Sequence, residues 1–171
     1  MPLNLKNRSL ACGFFKAVSL MLTGCGKTAP ANIQDADSYE ISGVYLGMSE
    51  ADVAAHMGVQ DVRNDILQDR VDFSYPGLSV SLIASGPSLD SSKVVVGVRA
   101  SSSAHCFRRD ICPSETLAEI RKTLGPADIE AQTKDKPKRL FYPLPEIEAC
   151  WVWVFTEDNE TASEISLACQ P

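Results

Sequence analysis

The chain has 171 residues, 44% of them hydrophobic, and a formal net charge of -6. That length suits one domain or two small fused ones. The acidic balance argues against nucleic-acid binding and against plain electrostatic adhesion to anionic lipid headgroups.

The first element in chain order reads as an export signal. Lys6, Arg8 and Lys16 supply positive charge, no acidic residue precedes Cys25, and Ala17 to Thr23 is apolar or small. The stretch ends in Leu22-Thr23-Gly24-Cys25, a leucine-small-glycine-cysteine run of the kind that a bacterial lipoprotein signal peptidase cleaves. Residues 1–24 are therefore expected to be removed, and Cys25 to carry lipid on its thiol and new amino group. Losing those 24 residues and their three cations leaves 147 residues with a charge of -9. No other apolar run approaches the roughly eighteen residues of a membrane span, so lipid is the expected anchor. Gly26 stands where, by resemblance to enteric lipoproteins, an aspartate would retain the protein in the inner membrane. In a Gram-negative host the expected address is the outer membrane, facing the periplasm.

Residues 25–38 hold Pro30, small side chains and two aspartates without helical or strand period, as expected of a tether. Beyond it the sequence repeats at an offset of 67 residues: Ser49 to Gly58 lies over Thr116 to Gly125, and Tyr75-Pro76 over Tyr142-Pro143. The expected units are residues 39–105 and 106–171. Each opens with a short helix. Ser49 or Thr116 caps it, Val53 with Met57 or Ile120 with Leu124 forms the apolar stripe, and Gly58 or Gly125 stops it.

A polar stretch follows each helix, and then strands. Val71, Phe73 and Tyr75 alternate, as do Leu78, Val80 and Leu82, and Val94, Val96 and Val98. Ser85 to Lys93 reads as a hairpin loop. In the second half Cys150 to Phe155 and Glu164 to Cys169 form a hairpin across Thr156 to Ser163. The expected fold class is α+β: a tandem duplicated unit of short helices packed on one face of an antiparallel β-sheet.

With Cys12 in the signal and Cys25 lipidated, Cys106, Cys112, Cys150 and Cys169 remain. An even count in an oxidising compartment reads as two disulfides, with three possible pairings. A symmetric second hairpin sets Val154 opposite Ile165, Val152 opposite Leu167 and Cys150 opposite Cys169. Cys150–Cys169 is then the first expected pair, and Cys106–Cys112 closes the connector. Zinc at His105, Cys106 and Cys112 lacks the spacing of a structural site, and no metal or cofactor is expected.

The same register gathers Trp151, Trp153 and Phe155 on the side of the sheet away from Cys150, Val152 and Val154. If helices cover the valine side, the aromatics form an open partner-binding surface; if they cover the other, the tryptophans are core.

Gly47-Met48-Ser49-Glu50, then Val53, Met57-Gly58 and a Phe-x-Tyr-Pro strand at Phe73 to Pro76, resemble the SmpA/OmlA (BamE-like) outer-membrane lipoproteins. The tandem arrangement resembles the fold of the β-lactamase inhibitory protein. These resemblances cover about Glu40 to Gln170 and imply a helix pair packed on a curved antiparallel sheet, repeated twice, whose concave face or hairpin loops bind another protein. The chain departs from the first by having two copies of the unit, and from the second by its lipobox.

No nucleophile elbow, catalytic triad or metal triad accompanies His56 and His105, and no enzymatic activity is expected. The first expectation is a membrane-anchored envelope lipoprotein acting as a protein-binding or scaffold module in outer-membrane assembly or integrity. Its alternative is a proteinaceous inhibitor of a periplasmic hydrolase, presenting Asp90 or Asp158 from a hairpin loop. A third reading gives ligand or cell-wall binding to a basic loop of Lys134, Lys136, Lys138 and Arg139. The sequence leaves the oligomeric state open.

Overall fold

The computed structural model describes residues 39–86, 92–133 and 136–170. The signal, Cys25, the tether, Asp90 and Lys134 lie outside them. A short hairpin, β1 (Glu40–Ile41) and β2 (Val44–Tyr45), opens the described chain. Helix α1 (Glu50–Met57) leads into strands β3 (Val62–Leu67), β4 (Arg70–Tyr75), β5 (Leu78–Ala84) and β6 (Lys93–Ala100). Helix α2 (Leu117–Leu124) leads into β7 (Ile129–Thr133), β8 (Lys136–Pro143), β9 (Cys150–Thr156) and β10 (Ala162–Cys169). These eight strands form one antiparallel sheet in the order β3-β4-β5-β6-β10-β9-β8-β7.

The expected α+β class is corrected by this architecture: the fold is mainly β. Each helix has eight residues, about two turns, and buries only Val53 from α1 and Leu117 with Ile120 from α2. That is too little apolar surface to roof an eight-stranded sheet. Tyr39, Ile41, Val44 and Met48 from the opening segment, with Phe107, Ile111 and Leu144 from connectors, complete the layer. Non-helical chain therefore does most of the covering.

The caps follow local chemistry. Ser49 Oγ accepts from the Asp52 amide at 3.1 Å, while Thr116 and Glu119 form a reciprocal capping box. Gly58 and Gly125 end the helices at φ of +79° and +83°, returning amides to Ala54 and Arg121 carbonyls.

Strand alternation decides the core. Val71, Phe73 and Tyr75 on β4, Leu78, Val80 and Leu82 on β5, and Val152 and Val154 on β9 are buried on one side. On β6 the expected Val94, Val96, Val98 alternation is broken. A bulge opposite Ser81 and Leu82 turns Val95 and Val98 inward and leaves Val94 and Val96 half-buried. Lys136, Lys138 and Arg139 likewise belong to strand β8 rather than to a loop, and Lys134 lies outside the described residues.

Ile165 opposes Val154, Leu167 opposes Val152 and Cys169 opposes Cys150 across β10 and β9. Disulfides join Cys150 to Cys169 and Cys106 to Cys112. Two intrachain bridges are the chemistry of an oxidising compartment, which makes this a secreted or envelope protein. No helix among the described residues is long and apolar enough to cross a membrane.

Candidate functional site

Among the described residues, no helix lies over the side of the sheet opposite the core. The residues of that side can be read in rows, because antiparallel partners share a face. One row runs Asn64, Asp72, Ser81, Gly97, Ala168, Trp151, Pro143 across seven strands. The next runs Val62, Ser74, Ser79, Arg99, Ser166, Trp153, Phe141, Ile129 across all eight. Glu164, Phe155, Arg139 and Ala131 continue the surface beside it.

One end of this face is aromatic. Phe141 lies 4.9 Å from Trp153 and 6.2 Å from Trp151 by ring centroid, and Trp153 lies 6.1 Å from Phe155. The Arg139 guanidinium sits 5.2 Å from the Phe155 centroid. Trp151, Trp153 and Phe155 are half-buried by one another while Val152 and Val154 between them are fully buried. The covered side is thus the valine side, and the three aromatics stand together on the uncovered one.

The centre of the face is small and polar. Ser79, Ser81, Gly97, Ser166 and Ala168 floor a trough of about 300 Å³ edged by Arg70, Asp72 and Arg99. A Cβ on Gly97 would make only ordinary contacts with Ser81 and Ala168, so the glycine deepens the floor rather than relieving a clash. Arg70 Nε lies 3.5 Å from Asp72 Oδ1, an ion pair without hydrogen-bond geometry, and Arg99 Nε lies 3.3 Å from Glu164 Oε1. Burial pushes the Glu164 carboxyl up, against the opposing pull of Arg99 and Arg139. The sequence alone points to Trp151, Trp153 and Phe155 but not to Phe141, Arg70 or Arg99. Their signal was alternation within β4, β6 and β8, legible only once neighbouring strands are known.

Other candidates are occupied by the fold itself. His56 Nε2 donates to the Ser42 carbonyl at 2.9 Å. His105 Nε2 donates to the Pro76 carbonyl at 2.9 Å, leaving its Nδ1 to accept from Ser42 Oγ at 2.8 Å. Asp158 Oδ1 accepts from the amides of Thr161 at 2.7 Å and Glu160 at 2.9 Å, bonds that hold its carboxyl below the usual range. That carboxylate braces its own turn rather than projecting to a partner. Lys138 pairs with Glu130 at 3.0 Å on the core side of the sheet, while Arg139 faces the other way, so the basic cluster is divided between two faces. No group of three metal-ligating side chains occurs among the described residues.

A second cleft, about 550 Å³, lies on the covered side among Tyr39, Phe107, Leu124, Tyr142, Leu144 and Glu146. The Tyr39 hydroxyl donates to Glu146 there, and the Arg108 guanidinium lies 6.0 Å from the Tyr39 ring centroid.

No protein-family model matches this chain, and no curated protein matches it. Among solved structures it is similar to an extracellular protein containing a SCP domain from Bacillus anthracis str. Ames. That likeness has 8% identity and a TM-score of 0.50, over 73% of this chain and 44% of that one. The chain thus spans less than half the length of that protein, and the likeness is one of fold alone. A DUF4309 family protein, YjgB, from Bacillus subtilis subsp. subtilis str. 168 aligns over 71% of this chain and 78% of its own, at 14% identity and a TM-score of 0.43.

Proposed function

We propose that the protein is an envelope lipoprotein that is held at the outer membrane by lipid on Cys25 and docks a protein partner through the uncovered face of its sheet. The observation that carries this reading is the contiguous strip of Phe141, Trp151, Trp153 and Phe155 on that face. Large aromatics beside arginines are the residues that dominate the energy of protein interfaces. The Leu22-Thr23-Gly24-Cys25 motif supports the anchor, and the resemblance of Gly47-Met48-Ser49-Glu50 to the SmpA/OmlA lipoproteins supports a role in outer-membrane assembly or integrity. Tethering to the partner's own membrane raises its local concentration, so a modest interface suffices. We read no catalytic role, since both histidines are bonded to backbone carbonyls.

The test is affinity capture from detergent-solubilised envelopes with lipidated wild type and with a Trp151→Ala/Trp153→Ala variant, after both are shown to fold. A partner enriched by the wild type alone is expected. Equal recovery by the two proteins would remove the aromatic face from the docking surface.

A further inference from the structure

The charge on the uncovered face differs from that of the whole chain. The chain carries -6, yet the charged side chains on this face among the described residues are Arg70, Arg99 and Arg139 against Asp72 and Glu164. The excess there is positive, and all three cations are arginines, whose planar guanidinium can hold a carboxylate by two parallel hydrogen bonds.

The geometry of the ion pairs points the same way. Side-chain exposure is 45% for Arg70 against 26% for Asp72, and 59% for Arg99 against 26% for Glu164. In each pair the carboxylate lies deeper and the guanidinium is left outermost, so the charge met by an approaching molecule is positive. Arg139 makes no ion pair among the described residues and rests on Phe155. Arg99 and Arg139 stand three strands apart and two residues out of line, about 16 Å at the usual strand spacing and rise, with Trp153 on the strand between Arg139 and Ser166.

We infer that the docked partner presents an acidic segment, with carboxylates on Arg99 and Arg139 and an apolar side chain on Trp153, which lies between them. This rests on the docking reading above. A basic or neutral partner would leave the outermost guanidiniums unmatched at the rim or face like-charge repulsion.

Both tryptophans of the protein lie on this face, so their emission reports its occupancy directly. The probe is a random copolymer of glutamate and tyrosine, with a lysine–tyrosine copolymer of equal aromatic content as control, under excitation selective for tryptophan. The glutamate copolymer should shift tryptophan emission in a saturable, salt-sensitive way, and the lysine copolymer should not. Arg99→Gln/Arg139→Gln, checked for folding by circular dichroism, should weaken the response at least ~10-fold. An undiminished response in that variant, a response to the lysine copolymer instead, or none to the glutamate copolymer would overturn the inference. So would saturable binding of chitotetraose in its place, which would assign the face to glycans. If the tryptophan variant loses envelope capture while the arginine variant keeps it, docking through the aromatics stands and the acidic partner falls.

Discussion

Tyr75 and Tyr142 carry buried hydroxyls with no hydrogen-bond partner among the described residues. Each therefore bears a desolvation cost without compensation. Tyr75→Phe and Tyr142→Phe are expected to leave stability unchanged or raise it by up to about 1 kcal/mol each in urea unfolding, where removal of a bonded hydroxyl would lower it. Burial also pushes both phenols above their ordinary value. Their contribution is then present in full below the unfolded phenol pKa of about 10 and lost as pH rises through the higher folded values. The double Phe variant should flatten the alkaline fall in stability. Gly43 is a different residue-scale constraint: at φ +79°, a Cβ would collide with the His56 imidazole. Gly43→Ala should cost at least about 1 kcal/mol and displace His56 from the Ser42 carbonyl, visible as a shifted imidazole resonance.

Among the elements, the helices depend on their caps and the second hairpin on its bridge. Thr116→Ala should cost about 1 kcal/mol in thermal unfolding by breaking the capping box. The Thr116 hydroxyl and amide hold the Glu119 carboxyl below its usual range, so the stabilisation exists above the unfolded carboxylate pKa and fades as pH falls through the folded value. Removing Cys150–Cys169 should cost about 3 kcal/mol and removing Cys106–Cys112 about 2, the longer loop losing more chain entropy. Denaturant titration of the two double Ser variants checks that order. What could be read from the sequence follows the same logic. β4 and β5 announce themselves by apolar residues at every second position and β9 by an unbroken apolar run, and Cys150 faces Cys169 because the hairpin is symmetric. β3 does not, because as an edge strand it is exposed along its whole length and burial imposes no alternation on Val62 to Leu67. β7, at the other edge, is hidden for the same reason, and the bulge in β6 leaves no mark in a run of three valines.

At the scale of the molecule, the balance of layers decides which face of the sheet stays open. The sheet is wide and its helices are two turns each, so connectors roof the core side, and among the described residues the other face is left to serines and aromatics. Trp151, Trp153 and Phe155 could be placed together by strand period alone. Which side was covered could not, since that depends on Phe107, Ile111 and Leu144, connector residues with no periodic signal. Whether the aromatic face stands open in the free protein is read by acrylamide quenching of tryptophan emission. Strong quenching of both tryptophans in the folded protein, falling when a partner binds, is expected. Emission that is already blue and resistant to acrylamide in the free protein would mean that the face is buried and that docking does not use it.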